Sequence, residues 1–515
     1  MLKKGLNFLI FDDQITVYYN RVAVKNKNFS IYVNGEKVGA TEKCYYDIEE
    51  LNSQTKYAIK VDYIDDNGNL VVLGEEEVTT KKTKNKIDVT KEPYNAVGDG
   101  KTFNRDAIQK AFDDCTENDV IYFPKGTYIT GGLRLHSNSE IYLDEGATIK
   151  GTDNPDDYLP FIDSRSEGLN MQCYQSVINI GYLDHKNYGY TCENVVLRGK
   201  GSIIGGGDSL NHKTIEKGYI VLKDYIASLG DRVKEFDNPR TIPGRLRGRL
   251  INVSNAKNVI MSGLYLAESP YWNIHFIYSD NVITHNCFIY TKGIHNGDGW
   301  DPDSSTNCAC FGTKFICGDN CVAVKSGRNP DGNIVNRPTK NINVFDCVVD
   351  GGGGFAVGSE ISGGVEDVNF WNLDCRVSAV GIQIKTTVKR GGYVKNVNVY
   401  DSVFPNISIS GKYTCNKDGE GAGYLTPISD IAIDGVLLTG IKRRILYSEK
   451  KDEIVELFVP CIEVKGFDED PTTFRKISFK NCTLTRRHYD YEHLIKLQNF
   501  VDVSFENMMT ENGEN

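Results

Sequence analysis

The chain has 515 residues, too many for one ordinary globular core, so it holds several domains or one long repeat architecture. Its net charge of -10 argues against a nucleic-acid binder, because phosphate contacts need a basic surface. No apolar run approaches the roughly 20 residues of a membrane-spanning helix, and 50 glycines and 29 tyrosines beside only 5 methionines favour strands and turns.

The opening MLKKGLNFLIFDDQ carries a short apolar patch that Asp12 and Asp13 cut off, and no small-residue cleavage site follows. It reads as a first β-strand rather than a leader. QITVYYNR, NFSIYVNGEKVG, KCYYDIEEL, KYAIKVDYID and LVVLGEEEVTT then alternate apolar and polar residues, with turn signals at VNGEK and DDNGN. Short strands at this spacing predict a small β-sandwich domain over residues 1–85. The lysine-rich KKTKNK, residues 81–86, reads as a solvated hinge.

From residue 86 the texture changes. NRDAIQKAFDDC has apolar residues at helical spacing, with Asn104 and Asp106 suited to its start, and predicts a helix over residues 107–115. A long series of similar units follows, among them SEIYLDEGATIKG, ENVVLRGKGSIIGGG, KNVIMSGLYLAES, DNVITHNCFIYTKG, KNINVFDCVVDGGG and KNVNVYDSVF. Each is a polar turn with Asn or Asp, then alternating apolar residues. Asn258 and Asn281 lie 23 residues apart, and other intervals are a little longer. A strand-bearing unit at this period is a solenoid signature, since one coil cannot bury its apolar face alone. Asparagine at the unit start tolerates a left-handed turn and can stack in ladders. No helix alternates with each strand, which argues against a TIM barrel or Rossmann fold. The expected fold is all-β: a right-handed parallel β-helix over residues 86–515, with the predicted helix covering its open N-terminal end.

The 14 cysteines are scattered, and the close pairs Cys308/Cys310 and Cys317/Cys321 lack the second pair of a zinc site. Free buried thiols in a reducing compartment are expected, which places the protein in the cytoplasm.

Two stretches carry chemistry. NGDGWDPDSS, residues 296–305, puts Asp298, Asp301 and Asp303 into six residues, and CGDNCVAVKSGR, residues 317–328, adds Asp319. Acids this dense mean a calcium loop, an acidic turn or a carboxylate pair for acid/base work. The spaced ligands and closing glutamate of an EF-hand are missing. Asp298 and Asp319 are 21 residues apart, one coil, so the strand ends of successive turns bring them side by side.

The repeats, the opening AVGDGKTFNRDAIQKAF with VIYFPKGTY, and a set of ordered blocks make residues 90 to about 510 resemble glycoside hydrolase family 28, the polygalacturonases. SPYWNIH, residues 269–275, is similar to a segment typical of that family. NGDGWDPDSS stands where the family has Asn-Thr-Asp-Gly-x-Asp, and GDNCVAVKSGR where it has Gly-Asp-Asp-Cys-x-Ala-x-Lys-Ser-Gly. GGGGFAVGSEISGG, residues 351–364, resembles a Gly-His-Gly block followed by Gly-Ser-Glu, and IQIKTT, residues 382–387, the Arg-x-Lys block. The first 85 residues resemble a fibronectin type III domain, and the DPDSS and GSEISGG wording is most similar to the exo-acting branch.

The resemblance implies an inverting hydrolase that releases galacturonic acid from pectin-derived oligosaccharides without a cofactor or metal. It implies Asp319 as general acid and Asp298 as base, with crowding by Asp298 expected to raise the Asp319 pKa. Asn320 replaces a second aspartate and can bond a water but not take its proton. Gly352 replaces a histidine and Gln383 an arginine. Substrate contacts are expected from Lys385, Gln383, His275, Asp301, Lys325, Arg328 and Glu360. Tyr271 and Trp272 either stack on a sugar or fill the core. Loss of the arginine clamp suggests an uncharged neighbouring sugar such as rhamnose, as in rhamnogalacturonan-cleaving relatives. The alternatives are a non-catalytic or weakly active binder of the same oligosaccharides, and a calcium-dependent pectate lyase, for which no motif is present. The expected partner is a galacturonate-containing pectic oligosaccharide, not nucleic acid or a membrane, with the oligomeric state left open.

Overall fold

The computed structural model describes residues 2–184, 189–415, 418–446, 453–485 and 494–511. The chain divides into two compact units, Met1–Lys86 and Ile87–Asn515. In the first unit, strands Leu6–Ile10, Ile15–Tyr19 and Tyr45–Ile48 form one antiparallel sheet, and Glu36–Thr41, Phe29–Val33, Lys56–Ile64 and Leu70–Thr79 form another. Alternation decides which side faces in: Tyr57, Ile59 and Val61 are buried, while Ala58 and Lys60 between them are only half-buried. Tyr19 of one sheet meets Phe29 of the other edge-on, with ring centres 5.1 Å apart.

The second unit is a right-handed parallel β-helix. Among the described residues, one sheet runs through 13 strands from Asn85–Asp88 to Val503–Glu506, and a second through 11 strands from Leu133–Leu135 to Ile495–Gln498. A third holds 8 strands from Asp99–Phe103 to Val348–Val349. Single bridges at Asp374 lead it on to a row of 4 from Val403–Phe404 to Met509–Thr510. Adjacent strands pair in register, so equivalent residues of successive coils stack. In the 11-stranded sheet, Ile251, Ile274, Trp300, Val322, Phe355, Ile382, Ile407 and Ile462 form one such column. All are buried. The period-2 alternation that sends this column inward sends its neighbours outward.

Asparagines hold the turns. Asn194, Asn258 and Asn281 have φ of 60, 58 and 56°, the left-handed region that asparagine tolerates best among residues with a side chain. The Asn281 side-chain amide donates to Asn258 Oδ1 at 2.9 Å, Asn258 to Asn194 at 2.9 Å, and Asn194 to Asn138 at 3.0 Å. The unit-start asparagines therefore do both things expected of them.

The N-terminal helix is Arg105–Asp114 and buries Ile108, Ala111 and Phe112 in the β-helix core, with Phe112 edge-on to Phe123 at 6.5 Å. Asn104 stands at its N-cap but does not cap it. Its side chain accepts from the Val97 amide at 2.7 Å and donates to the Val97 and Thr102 carbonyls. A helical insert, absent from the sequence expectation, interrupts the coils between Ser202–Ile204 and Ile251–Ser254. It comprises Gly207–Val221, Lys223–Leu229, a 3-10 turn Gly230–Glu235 and Thr241–Gly244. The first of these helices starts after Gly206 with no side-chain cap and buries a mixed face of Leu210, Thr214, Ile215 and Gly218. Neither a cap nor a clean apolar stripe marked it in the sequence.

The ladder predicts a graded response. Asn258→Ala loses two amide bonds and leaves in the left-handed region a residue that tolerates it less well than asparagine, for a cost of about 2–3 kcal/mol. Asn258→Gly loses only the bonds and is the milder change by about 1 kcal/mol. Urea unfolding of the two variants checks this; equal midpoints would remove backbone strain from the account.

Candidate active site

Three turns stack to build the site. Residues 297–299 precede strand Trp300–Asp303, residues 319–321 precede Val322–Val324, and residues 351–354 precede Phe355–Val357. The Asp319 amide donates to Gly297 O at 3.3 Å, the Gly299 amide to Asn320 O at 2.9 Å, and the Gly353 amide to Asp319 O at 2.9 Å. The backbone thus sets Asp298 and Asp319 on adjacent coils before any side chain is considered.

Both carboxyls line one cavity of about 290 Å³, together with Asn320, Lys325, Glu360 and Lys385. Asp298 is 2% exposed. Lys325 Nζ lies 3.5 Å from Asp298 Oδ2, 3.6 Å from Glu360 Oε2, and 4.4 Å from the centre of the Trp272 ring. Burial lifts the Asp298 carboxyl to about 7; Lys325 pulls against that lift, and the Asp319 charge adds to it. Burial also opposes ionisation of Glu360, but Lys325 and Arg390 hold that carboxyl down at about 2. The Lys325 ammonium in turn is kept well above the usual lysine range, against burial, by Glu360, Asp298 and Asp301. Deep burial, and the lift that follows from it, fall on Asp298.

Asn320 has a clear local part. Its backbone amide and its Nδ2 both donate to Asp319 Oδ1, each at 2.9 Å. An ionised aspartate there would keep the backbone donor but lose the side-chain one, and its carboxylate would repel Asp319. The missing histidine also has a cause. Gly352 has φ 94°, and a Cβ on it would lie 1.8 Å from the Cys317 carbonyl oxygen. No side chain fits at this position without moving a coil.

Of the other expected contacts, Lys325, Lys385 and Glu360 reach the cavity, and His275, Asp301, Arg328 and Gln383 do not line it. His275 is fully buried, edge-on to Trp272 at 4.7 Å, with Nε2 3.4 Å from Asp303 Oδ2. Burial lowers its imidazole to about 3, so it is neutral. Asp301 sits beside it in register. Burial and the Asp298 charge push Asp301 well above the carboxylate range, and neither of its oxygens has a hydrogen-bond partner. Arg328 is 0% exposed and donates to Asp418 Oδ2 at 2.5 Å. His275 and Asp301 alternate with the core residues Ile274 and Trp300 and so face away from the core column, yet they and Arg328 are fully buried and belong to the frame of the site. Gln383 is half-buried on Ile382–Lys385, paired with Ala356 and Ser408.

Several cavity residues had no sequence signal. Glu167 comes from the turn of the hairpin Ile162–Ser166/Leu169–Cys173, and Asp237, Asn238 and Thr241 from the helical insert. Tyr413 follows strand Ile407–Ser410, and its ring centre lies 5.0 Å from Lys385 Nζ. Tyr271 and Trp272 stack at 4.7 Å and are nearly fully buried, yet both border the cavity, so they serve core and site at once.

Residues 192–465, just over half of the chain, match the family described as Glycosyl hydrolases family 28, and residues 88–200 match Rhamnogalacturonase A/epimerase, pectate lyase-like. A probable polygalacturonase of Vitis vinifera is 26% identical over 403 residues, 76% of this chain and 73% of that protein. An exo-poly-alpha-D-galacturonosidase of Dickeya chrysanthemi is 26% identical over 354 residues, 64% of this chain and 57% of that protein. The solved structure of the family 28 exopolygalacturonase of Yersinia enterocolitica superposes with a TM-score of 0.77 at 19% identity, over 98% of this chain and 96% of that one, and has the same fold. With the stacked coils and the paired carboxyls, the match establishes that this chain belongs to family 28 of the glycosyl hydrolases.

Proposed function

We propose that this hydrolase removes galacturonic acid from the ends of pectin-derived oligosaccharides, with inversion. The observation that carries the reading is the pair Asp298 and Asp319, on adjacent coils and facing one sugar-sized cavity. Asp319 protonates the glycosidic oxygen as the bond to the anomeric carbon breaks. Asp298 takes a proton from the water that attacks the opposite face of that carbon. A base with a carboxyl near 7 is well matched to work at neutral pH. Asn320 holds Asp319 in place by its two donated bonds. Lys385 has no ion pair among the described residues, which leaves it to meet a uronate carboxylate, whereas Lys325 is engaged by Asp298 and Glu360.

End-wise action is supported by the walls. Glu167 and the insert residues Asp237, Asn238 and Thr241 border the cavity, as suits a closed pocket more than an open cleft. Gln383, in place of an arginine on the strand that carries Lys385, does not line the cavity and adds no second cation beside it, which supports a neutral sugar, of the rhamnose kind, across the bond from galacturonate. The antiparallel first unit fits a fibronectin type III-like module. Among the described residues no cysteine is in a disulfide, which supports a reducing, cytoplasmic setting.

Asp319→Asn is expected to lower kcat by about 10²–10⁴-fold and to leave oligosaccharide binding within a few-fold. A variant that turns over and binds like the wild type would instead favour a binding protein. Product analysis by NMR is expected to show the anomer opposite to the linkage cleaved; the same anomer would end the inverting mechanism. Asp298 must be ionised to act as base, so kcat/KM is expected to rise with pH through a midpoint near 7. Lys325→Met removes the cation that favours the ionised form and moves this limb to higher pH. An unmoved limb would take Lys325 out of the control of Asp298.

A further inference from the structure

A second cavity, of about 580 Å³, lies next along the same sheet. Its lining comes from the segments that follow three successive strands. Residues 387–389 follow Ile382–Lys385, residues 411–414 follow Ile407–Ser410, and residues 467–469 follow Ile462–Lys465. Tyr413 borders both this cavity and the one that holds Asp298 and Asp319. An oligosaccharide seated at the carboxyl pair and running on along the coils enters it.

The two cavities differ in chemistry. Around the carboxyl pair the lining is charged and polar, and Lys385 is available. In the second cavity Val388, Tyr413 and Phe467 provide apolar walls. Gly411 lets the Phe467 ring lie against the backbone, since a Cβ there would come within 2.9 Å of it. The cations of this cavity are already engaged: Lys412 Nζ is 2.7 Å from Asp468, and Lys389 Nζ donates to the Gly419 carbonyl at 3.2 Å. Glu235, 3.9 Å from Arg232, and Glu469 are further acids of the lining. A uronate placed here would bring a carboxylate towards acids, beside lysines committed elsewhere, and would lose its hydration for no ion pair.

We infer that the second cavity seats a neutral sugar unit of the substrate, lying beyond the cleaved bond, and takes it by an apolar ring face or substituent. The inference rests on the hydrolase reading of the neighbouring cavity. Two pectic units share the required chemistry, a deoxyhexose such as rhamnose and a methyl-esterified galacturonate. Selectivity arises chiefly from the apolar walls, which favour either unit, while the acids of the lining, of which Asp468 and Glu235 already have cationic partners, give a free galacturonate no gain.

The test is calorimetric binding to the full chain carrying Asp319→Asn. The ligands are oligosaccharides of three and four units, with galacturonate at the non-reducing end, that differ only in the reducing-end unit. Oligosaccharides ending in rhamnose or in the methyl ester, or one of the two, are expected to bind at least tenfold more tightly than those ending in free galacturonate; which of them does so identifies the unit. Val388 is 50% exposed, so Val388→Lys adds an uncommitted cation without opening the core, and is expected to erase or reverse the ratio. Equal binding of acidic and neutral ends, or a ratio that Val388→Lys leaves unchanged, overturns the inference. Release of galacturonate from any of these oligosaccharides, acidic or neutral at the reducing end, by the unsubstituted chain reports separately on the hydrolase reading. Its absence would sink that reading, while the binding ratio would still decide what the second cavity accepts.

Discussion

In-register pairing of parallel strands from coil to coil is the constraint on which the site depends. It spaces successive coils by about 4.8 Å and stacks equivalent residues in columns. Inward, the columns are apolar, as from Ile251 to Ile462. Outward, the same pairing brings the ends of neighbouring strands together, so two acids one coil apart in sequence meet in space. The backbone bonds from residues 297–299 to 319–320, and from Asp319 to Gly353, fix this before the side chains act.

Setting acids so close in a buried floor has an electrostatic cost, and the structure offsets it with cations rather than solvent. Lys325 lies between Asp298 and Glu360, with the Trp272 ring face behind it. Arg165 donates to Asp303 at 2.7 Å, and Arg245 joins Glu167, at 2.9 Å, to Asp418, at 3.1 Å. These guanidinium contacts tie loops that are far apart in sequence around one cavity. Removing either member of such a pair leaves a buried charge alone, which is far more costly than the pair is beneficial. Lys325 and Arg390 bring Glu360 to about 2 while Asp298 stays near 7, although both carboxyls are buried. Placement of two cations, not burial alone, separates them.

Much of the fold was legible. The repeat of Asn or Asp followed by alternating apolar residues specifies a solenoid, because a period of two within each unit and of about two dozen between units suits no other packing. Asparagine at each turn was legible for the same local reason. The helical insert was not, since Gly207–Val221 carries neither a capping side chain nor a clean apolar stripe. At the site, the blocks around Asp298 and Asp319 marked the cavity, and Lys325, Lys385 and Glu360 came with them. His275, Asp301 and Arg328 carry the same kinds of groups but lie in the frame, because depth below a surface is not written in residue type. Gly352 looked like a lost helper; its φ and its approach to Cys317 make it a requirement of coil stacking.

The sequence by itself determined the coil, its period, the turn chemistry and the nearness of two acids one coil apart, since all of these follow from local alternation and a short-range repeat. Only the tertiary structure decided which acid is deeply buried, which lysine is engaged and which is available, and how the insert and the hairpin come to border the cavity. Those outcomes depend on desolvation and on charges brought together from segments such as 162–173, 207–244 and 411–415, whose separations along the chain hold no trace of their distances in space.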